Sequence, residues 1–346
     1  MRSAGVENGQ SSAALITVIA DELTVPWDIA FLPGGDMLVT ERPGTLLRFG
    51  KEKTITKIDG VQHVGEGGLL GIALHPNFAE NNFVYLYLTT KVDSRLMNRV
   101  ERYTLTDNML ANHRVIIDGI PGASYHDGGM IAFGPDNFLY VTTGDAGNSD
   151  NAQNRESLAG KILRMHDDGA VPEDNPFGNT VWSYGHRNVQ GIAWDALGRM
   201  WATEHGPSGA STGYDELNLI VKGGNYGWPI YKGDVLLRKG ADVGAMRAPV
   251  VHSGADETWA PGGIASNDGK LFFTGLRGES LYEAIPSADG SSVQLKAHFR
   301  SDFGRLRAVV TGFDGMLYVS TSNTDGRGTQ NDGDDKIIKF NPQLFK

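Results

Sequence analysis

Apolar residues fall in short runs along almost the whole chain, broken by turns rich in Pro, Gly, Asp and Asn. Runs of this length, bounded by such residues, read as buried β-strands rather than helices. One unit recurs. A small apolar strand leads into a turn, and a second strand follows whose last residues are polar. It stands as WDIAF at 27–31 before MLVT at 37–40, LGIAL at 70–74 before FVYLYLT at 83–89, and MIAF at 130–133 before LYVT at 139–142. It returns as GIAW at 191–194 before MWAT at 200–203, GIA at 263–265 before LFFT at 271–274, and VVTGF at 309–313 before MLYVS at 316–320.

In most copies a third strand follows, as in TLLRF at 45–49, RVERY at 99–103 and KILRM at 161–165. Six copies at a period of about 40–75 residues predict an all-β chain, a six-bladed β-propeller of four-stranded antiparallel blades. The Gly- and Ala-rich first strand suits a ring centre where neighbouring backbones converge. The last copy has only residues 335–340 as its third strand, while a β-rich run, ALITVIA at 14–20, stands ahead of the first copy. That run is expected to pair into the last blade and close the ring, which removes an exposed edge. A β-sandwich or two separate sheets is the competing arrangement, and six matched copies count against it. The expected organisation is a flexible segment at 1–13 and a single propeller domain at 14–346.

Composition narrows the function more than the fold. The chain has 346 residues, and its 46 glycines suit many tight turns between short strands. A net charge of −10 argues against a nucleic-acid partner. The absence of Cys excludes disulfides, thiolate metal sites and a cysteine nucleophile. No apolar stretch is long enough for a membrane-spanning helix. Residues 1–12 are polar and Gly/Ser-rich, without the apolar run of a signal peptide. That leaves two readings, a cytoplasmic protein or one whose export signal was replaced by a starting Met.

Unusual residues crowd the loops that precede a first strand or follow a second one, and propeller geometry brings those loops to one end of the central tunnel. The converging candidates are His126, Asp145, Arg187, Asn188, Arg305 and Arg307. A His that removes a proton from a hydroxyl needs a partner to fix its tautomer, and Asp145 is the candidate. Three arginines gathered in an acidic chain point to a bound polyanion, because guanidinium groups match carboxylates. The alternation at 305–307 puts both guanidinium groups on one face of an extended segment. Each feature also has a structural reading: a His–Asp pair that ties two loops, and arginines that pair neighbouring blades. Asp215-Glu216, with carbonyls near Gly206 and Pro207, offers donors for a hard cation such as Ca²⁺. The stretch 323–335 resembles a Ca²⁺ loop in composition, but it lacks the closing Glu and reads as a solvated acidic loop.

The strings GLLGIALHP at 68–76, GHRNVQG at 185–191, EHGP at 204–207, DELNLI at 215–220 and GGNYGWP at 223–229 resemble the soluble PQQ-dependent aldose and glucose dehydrogenases. The likeness runs from about residue 25 to the C-terminus, and the family is itself six-bladed. It implies oxidation of aldose sugars at C1 to the lactone, with pyrroloquinoline quinone (PQQ) as hydride acceptor and an external electron acceptor (a small quinone, a dye or a cytochrome). His126 corresponds to the general base, Asp145 to the carboxylate beside it, and Arg187 and Asn188 to contacts near the reactive carbonyl. Arg305 and Arg307 correspond to arginines that hold the cofactor carboxylates. Glu66, Trp259, Ala260, Pro261, Gly262, Gly263, Leu276 and Arg277 correspond to further cofactor-lining positions. Gly206 and Pro207 correspond to carbonyl ligands of a Ca²⁺ at the cofactor, and Glu216 with the Tyr226 carbonyl to a second Ca²⁺ site. The resemblance also implies a periplasmic or extracellular location. Glu66 departs from the Gln usual in the family's glucose dehydrogenases, and a carboxylate there weakens binding of an anionic quinone unless it is protonated or paired. A Ca²⁺-dependent lactonase and a non-catalytic binding propeller are the alternatives; the first calls for side-chain carboxylates on the tunnel metal, the second for loss of the His or the arginines.

Overall fold

The computed structural model describes residues 15–207, 213–240 and 245–346. The segment expected to be flexible, 1–13, lies outside the described residues. Six four-stranded antiparallel sheets form the ring. The first blade runs Pro26–Phe31, Met37–Glu41, Thr45–Phe49, Lys53–Lys57, and the second Leu69–Leu74, Phe83–Val92, Arg95–Thr106, Met109–Pro121. The third comprises Ile131–Phe133, Leu139–Thr142, Lys161–Met165 and Val181–Tyr184, and the fourth Val189–Trp194, Met200–Glu204, Glu216–Ile220 and Val251–His252. The fifth is Pro261–Asn267, Lys270–Gly275, Leu281–Pro286 and Val293–His298. In the sixth, Leu306–Thr311, Leu317–Thr321 and Ile337–Phe340 are joined by Ile16–Ala20, with Ile16 opposite Phe340. The N-terminal strand therefore closes the ring as the sequence predicts. Among the described residues no helix is long and apolar enough to cross a membrane.

Blades stack face to face, so their second strands are covered on both sides. In the second blade Val84, Tyr85, Leu86, Tyr87 and Leu88 are all fully buried. This is why the sequence shows continuous apolar runs there rather than alternation.

The polar ends of those strands bind the neighbouring blade. The hydroxyl of Thr40 donates to the Leu70 carbonyl at 2.6 Å, Thr142 to Val189 at 3.0 Å, Thr203 to Gly262 at 2.7 Å and Thr274 to Arg307 at 2.7 Å. Ser320 likewise reaches from the sixth blade to the first, donating to Pro26 at 3.4 Å. Each bond satisfies an inner-strand carbonyl that no strand within its own blade reaches. The approach is close: a Cβ on Gly262 would lie 2.2 Å from the Arg307 carbonyl oxygen. The turns repeat a device as well. Asp136 accepts from the Tyr140 hydroxyl, Asp195 from the Trp201 indole and Asp314 from the Tyr318 hydroxyl, each at 2.8–3.0 Å.

The segment 230–239 folds into a small hairpin of Tyr231–Lys232 and Val235–Leu236. The loop 323–335 is not the solvated acidic loop expected. The Asp335 carboxylate is buried and accepts from Thr321, Asn323 and Thr324, Asp334 accepts from Asn323 and Asn331, and Asp325 pairs with Arg305. Of the four acids only Asp332 is exposed. Hydroxyl and amide donors around the ring closure take the place of water.

Candidate active site

His126 and Asp145 come from loops that flank the third blade's first pair of strands. The backbone of His126 turns through φ +60°, a region a non-glycine residue enters only when held there. Its carbonyl packs directly over Gly144, where a Cβ would stand 1.8 Å from that oxygen. Only glycine at 144 lets the two loops meet. His126 Nδ1 then lies 2.7 Å from Asp145 Oδ1, and the Trp228 indole donates to Asp145 Oδ2 at 2.8 Å. Burial pushes the Asp145 carboxyl up, but the bonds from His126, Trp228 and the Gly147 amide outweigh it and hold the group below its usual range. An ionised Asp145 takes the proton on Nδ1 as a hydrogen bond, which leaves Nε2 of a neutral imidazole as an acceptor.

That imidazole faces a cavity of about 480 Å³ at the end of the tunnel, and the expected residues Glu66, His126, Arg187, Gly206, Ala260, Leu276, Arg277, Arg305 and Arg307 all line it. Arg305 donates to Asp325 through Nε and Nη2 and to the Leu276 carbonyl through Nη1. Arg307 is buried, with Nη1 on Gln190 Oε1; burial, with Arg42 and Arg305 close by, lowers it to about 9. Arg187 lies over the Trp228 ring and donates to the His205 carbonyl at 3.3 Å. Asn188 stands behind this wall. Its Oδ1 accepts from the Gly128 amide, while its buried Nδ2 has no partner.

Gly206, Pro207, Glu216 and Tyr226, the expected metal residues, border one further void of about 10 Å³ between this cavity and the fourth blade. That is room for about one water-sized occupant. Glu216 faces Glu204 across the strand pair, and burial together with that second carboxylate raises Glu216 to about 8. Beside it the buried Asn218 Oδ1 lacks a donor. Surplus acceptors of this kind are what a hard cation satisfies. Among the described residues no group of three or more His, Asp or Glu side chains is spaced to hold a metal, so carbonyls would have to contribute. The Tyr226 hydroxyl donates to Leu219 and its ring stacks on His186, leaving its carbonyl as the group available.

Besides Asn188, four expected cofactor positions, Trp259, Pro261, Gly262 and Gly263, do not line the cavity. The Trp259 indole turns into the fifth blade's core against Phe273 and Tyr282, and the backbone amides of Trp259 and Ala260 bind Asp215. Pro261 offers its carbonyl to His205, and Gly262 and Gly263 pack against the sixth blade. Residues the sequence did not single out take part instead. Gln190 donates to Asn188 Oδ1 at 3.2 Å and sits in the same recognised GHRNVQG string, and Trp228 sits within the recognised Gly-Trp-Pro string; both were legible in the sequence. Tyr125, His205 and Arg327 also line the cavity, as does Asp215, which the sequence did mark, as a cation donor. Arg327 gave no signal at all, since it lies in the loop read as solvated.

Residues 23–330 match the Glucose / Sorbosone dehydrogenase family. The chain belongs to that family. Among relatives of this dehydrogenase family, it is 33% identical over 344 residues to aldose sugar dehydrogenase YliI of Escherichia coli K12, covering 90% of this chain and 91% of that one. It is 34% identical over 250 residues to quinoprotein glucose dehydrogenase B of Acinetobacter calcoaceticus, covering 61% and 52%. The PQQ-bound structure of aldose sugar dehydrogenase from Streptomyces coelicolor superposes with a TM-score of 0.84 at 41% identity, over 94% of this chain and 97% of that one.

Proposed function

We propose that this family member is a PQQ- and Ca²⁺-dependent aldose dehydrogenase that oxidises sugars at C1 to the lactone and passes the electrons to an external acceptor, in the periplasm or outside the cell. The observation that carries the reading is the open Nε2 of His126 beside a cavity rich in guanidinium groups. The residues present fit the cofactor: Arg277, Arg305 and Arg307 line the cavity and supply cations for carboxylates. When bound, PQQ supplies the quinone carbonyl that accepts hydride, and Ca²⁺ makes that carbonyl more electrophilic.

This chain's own part is proton transfer and positioning. His126 Nε2 removes the proton of the C1 hydroxyl as the C1–H bond breaks. Asp145 stabilises the imidazolium that forms and keeps the ring from turning, and Trp228 fixes Asp145 in its turn. Arg187, held by Trp228 and the His205 carbonyl, sets positive charge beside the reacting centre. Gly206 and Pro207 would hold the Ca²⁺ at the cofactor through their carbonyls, and Glu216 with the Tyr226 carbonyl would hold a second.

The test is a reconstitution. Apo protein is mixed with PQQ and Ca²⁺, and dye reduction is followed with a panel of aldoses. Cofactor-dependent reduction with at least one sugar is expected. Absence of reduction with every sugar, at saturating cofactor, overturns the reading.

A further inference from the structure

The Glu66 carboxylate joins two partners far apart in sequence. Oε2 accepts the backbone amide of His126 at 2.9 Å, and Oε1 accepts from Arg327 Nη1 at 2.9 Å, across 261 residues. The first bond holds a backbone at φ +60°, a conformation that needs holding for the imidazole to stay on Asp145. A carboxylate does this better than a neutral amide, because charge-assisted hydrogen bonds are stronger. It also brings a negative charge to a cavity otherwise furnished for an anion. Arg42 points its Nε at His63 instead. Arg327 is the cation at hydrogen-bond distance. Its placement is built in, since its amide donates to Asp325 Oδ1 at 2.9 Å and Asp325 is the partner of Arg305.

We propose that Glu66 and Arg327 act as one charge-neutral unit at the cavity rim, in which Glu66 is a positioning residue for His126 and Arg327 cancels the charge this requires. The proposal deepens the quinone-binding reading and rests on it for its second half. Burial raises the Glu66 carboxyl, but the His126 amide, the nearby His205 and Arg327 outweigh it and keep the group ionised, so the pair with Arg327 is ionic. A Gln at 66 would keep one bond to His126 and need no cation; Glu with Arg is the other self-consistent solution.

Two measurements on the apo protein test it. PQQ titration, followed by tryptophan fluorescence, is compared for the parent chain, Arg327→Gln, Glu66→Gln and the double variant. Arg327→Gln leaves Glu66 uncompensated and weakens binding by about tenfold, Glu66→Gln tightens it by about threefold, and the double variant returns to within about threefold of the parent. Binding by Arg327→Gln within about threefold of the parent overturns the compensation. Hydrogen–deuterium exchange at the His126 amide reads the positioning role without any cofactor. Glu66→Ala speeds it about tenfold and Glu66→Gln by less than about threefold; unchanged exchange in Glu66→Ala overturns that role. If the parent chain binds no PQQ, the quinone-binding reading and the compensation built on it fail together, while the exchange result still decides what Glu66 does for His126.

Discussion

Two histidine–carboxylate pairs stand in neighbouring blades of this ring, nearly identical in bond length and different in use. In the first, His126 Nδ1 meets Asp145 at 2.7 Å; in the second, His186 Nδ1 meets Glu204 at 2.8 Å. In both, the second carboxylate oxygen is held, by the Trp228 indole for Asp145 and by the Arg187 amide for Glu204. They part at the other ring nitrogen. His186 Nε2 lies 2.9 Å from the Ser183 hydroxyl, its side chain is 0% exposed, and its ring is stacked 4.6 Å from Tyr226. His126 keeps 13% of its side chain exposed and turns Nε2 to the cavity. The dyad is therefore not the mark of chemistry. What chemistry needs is a dyad with one nitrogen left open to a ligand cavity, because only that one can exchange a proton with a ligand.

The comparison breaks most sharply at His126. His126→Ala removes the proposed base and should lower the PQQ-dependent rate by about a thousandfold while cofactor binding persists. Rate and titration are measured on one preparation, and a rate within about tenfold of the parent would place the base elsewhere. His186→Ala acts on the other pair and on a different property. It strips a partner from the buried Glu204, so stability to urea should fall by about 3 kcal/mol. A loss of activity from His186→Ala without loss of stability would erase the distinction between the pairs.

Arg305→Ala produces a smaller change. Arg305 already has Asp325 and the Leu276 carbonyl as partners, so its charge toward a ligand is partly spent. Removing it should weaken PQQ binding by about ten- to thirtyfold, with little change in kcat at saturating cofactor. An unchanged titration would make Arg305 a loop anchor only.

How far these pairs could be read from sequence differs with the origin of each contact. The ring was legible because most blades repeat the same local events: an apolar run, an Asp turn, a hydroxyl such as Thr142 or Thr203 that binds the next blade. His126 and Asp145 were legible because short loops beside known strands must meet at one tunnel end. Glu66–Arg327 was not, since it exists only once the ring has closed, and nothing local marks either residue as half of a pair. Burial of Asp335 has the same origin: the Leu23 amide donates to its carbonyl across the closure, so composition alone made 323–335 look solvated. Trp259 shows a third kind of limit. The segment does reach the cavity, but Ala260 adopts φ +43° and the chain bends there, so Ala260 faces the ligand space while the indole goes to the core.

The smallest expected effect isolates the partner that makes the open dyad work. Trp228→Phe keeps a ring beside Arg187 but deletes the donor to Asp145 Oδ2. The folded value of Asp145 is depressed, so the contribution of its ionised form is present above the ordinary carboxylate range and lost as pH falls through the depressed value. With the indole donor gone, that value moves up toward the ordinary one, and protonated Asp145 no longer holds the Nδ1 proton of His126. The acid limb of kcat/KM should therefore shift to higher pH, and the plateau should drop by about fivefold, less than a full hydrogen bond to a charged group because His126 and the Gly147 amide still hold Asp145. A lowered plateau with an unmoved acid limb would mean that Trp228 shapes the cavity wall rather than the charge on Asp145.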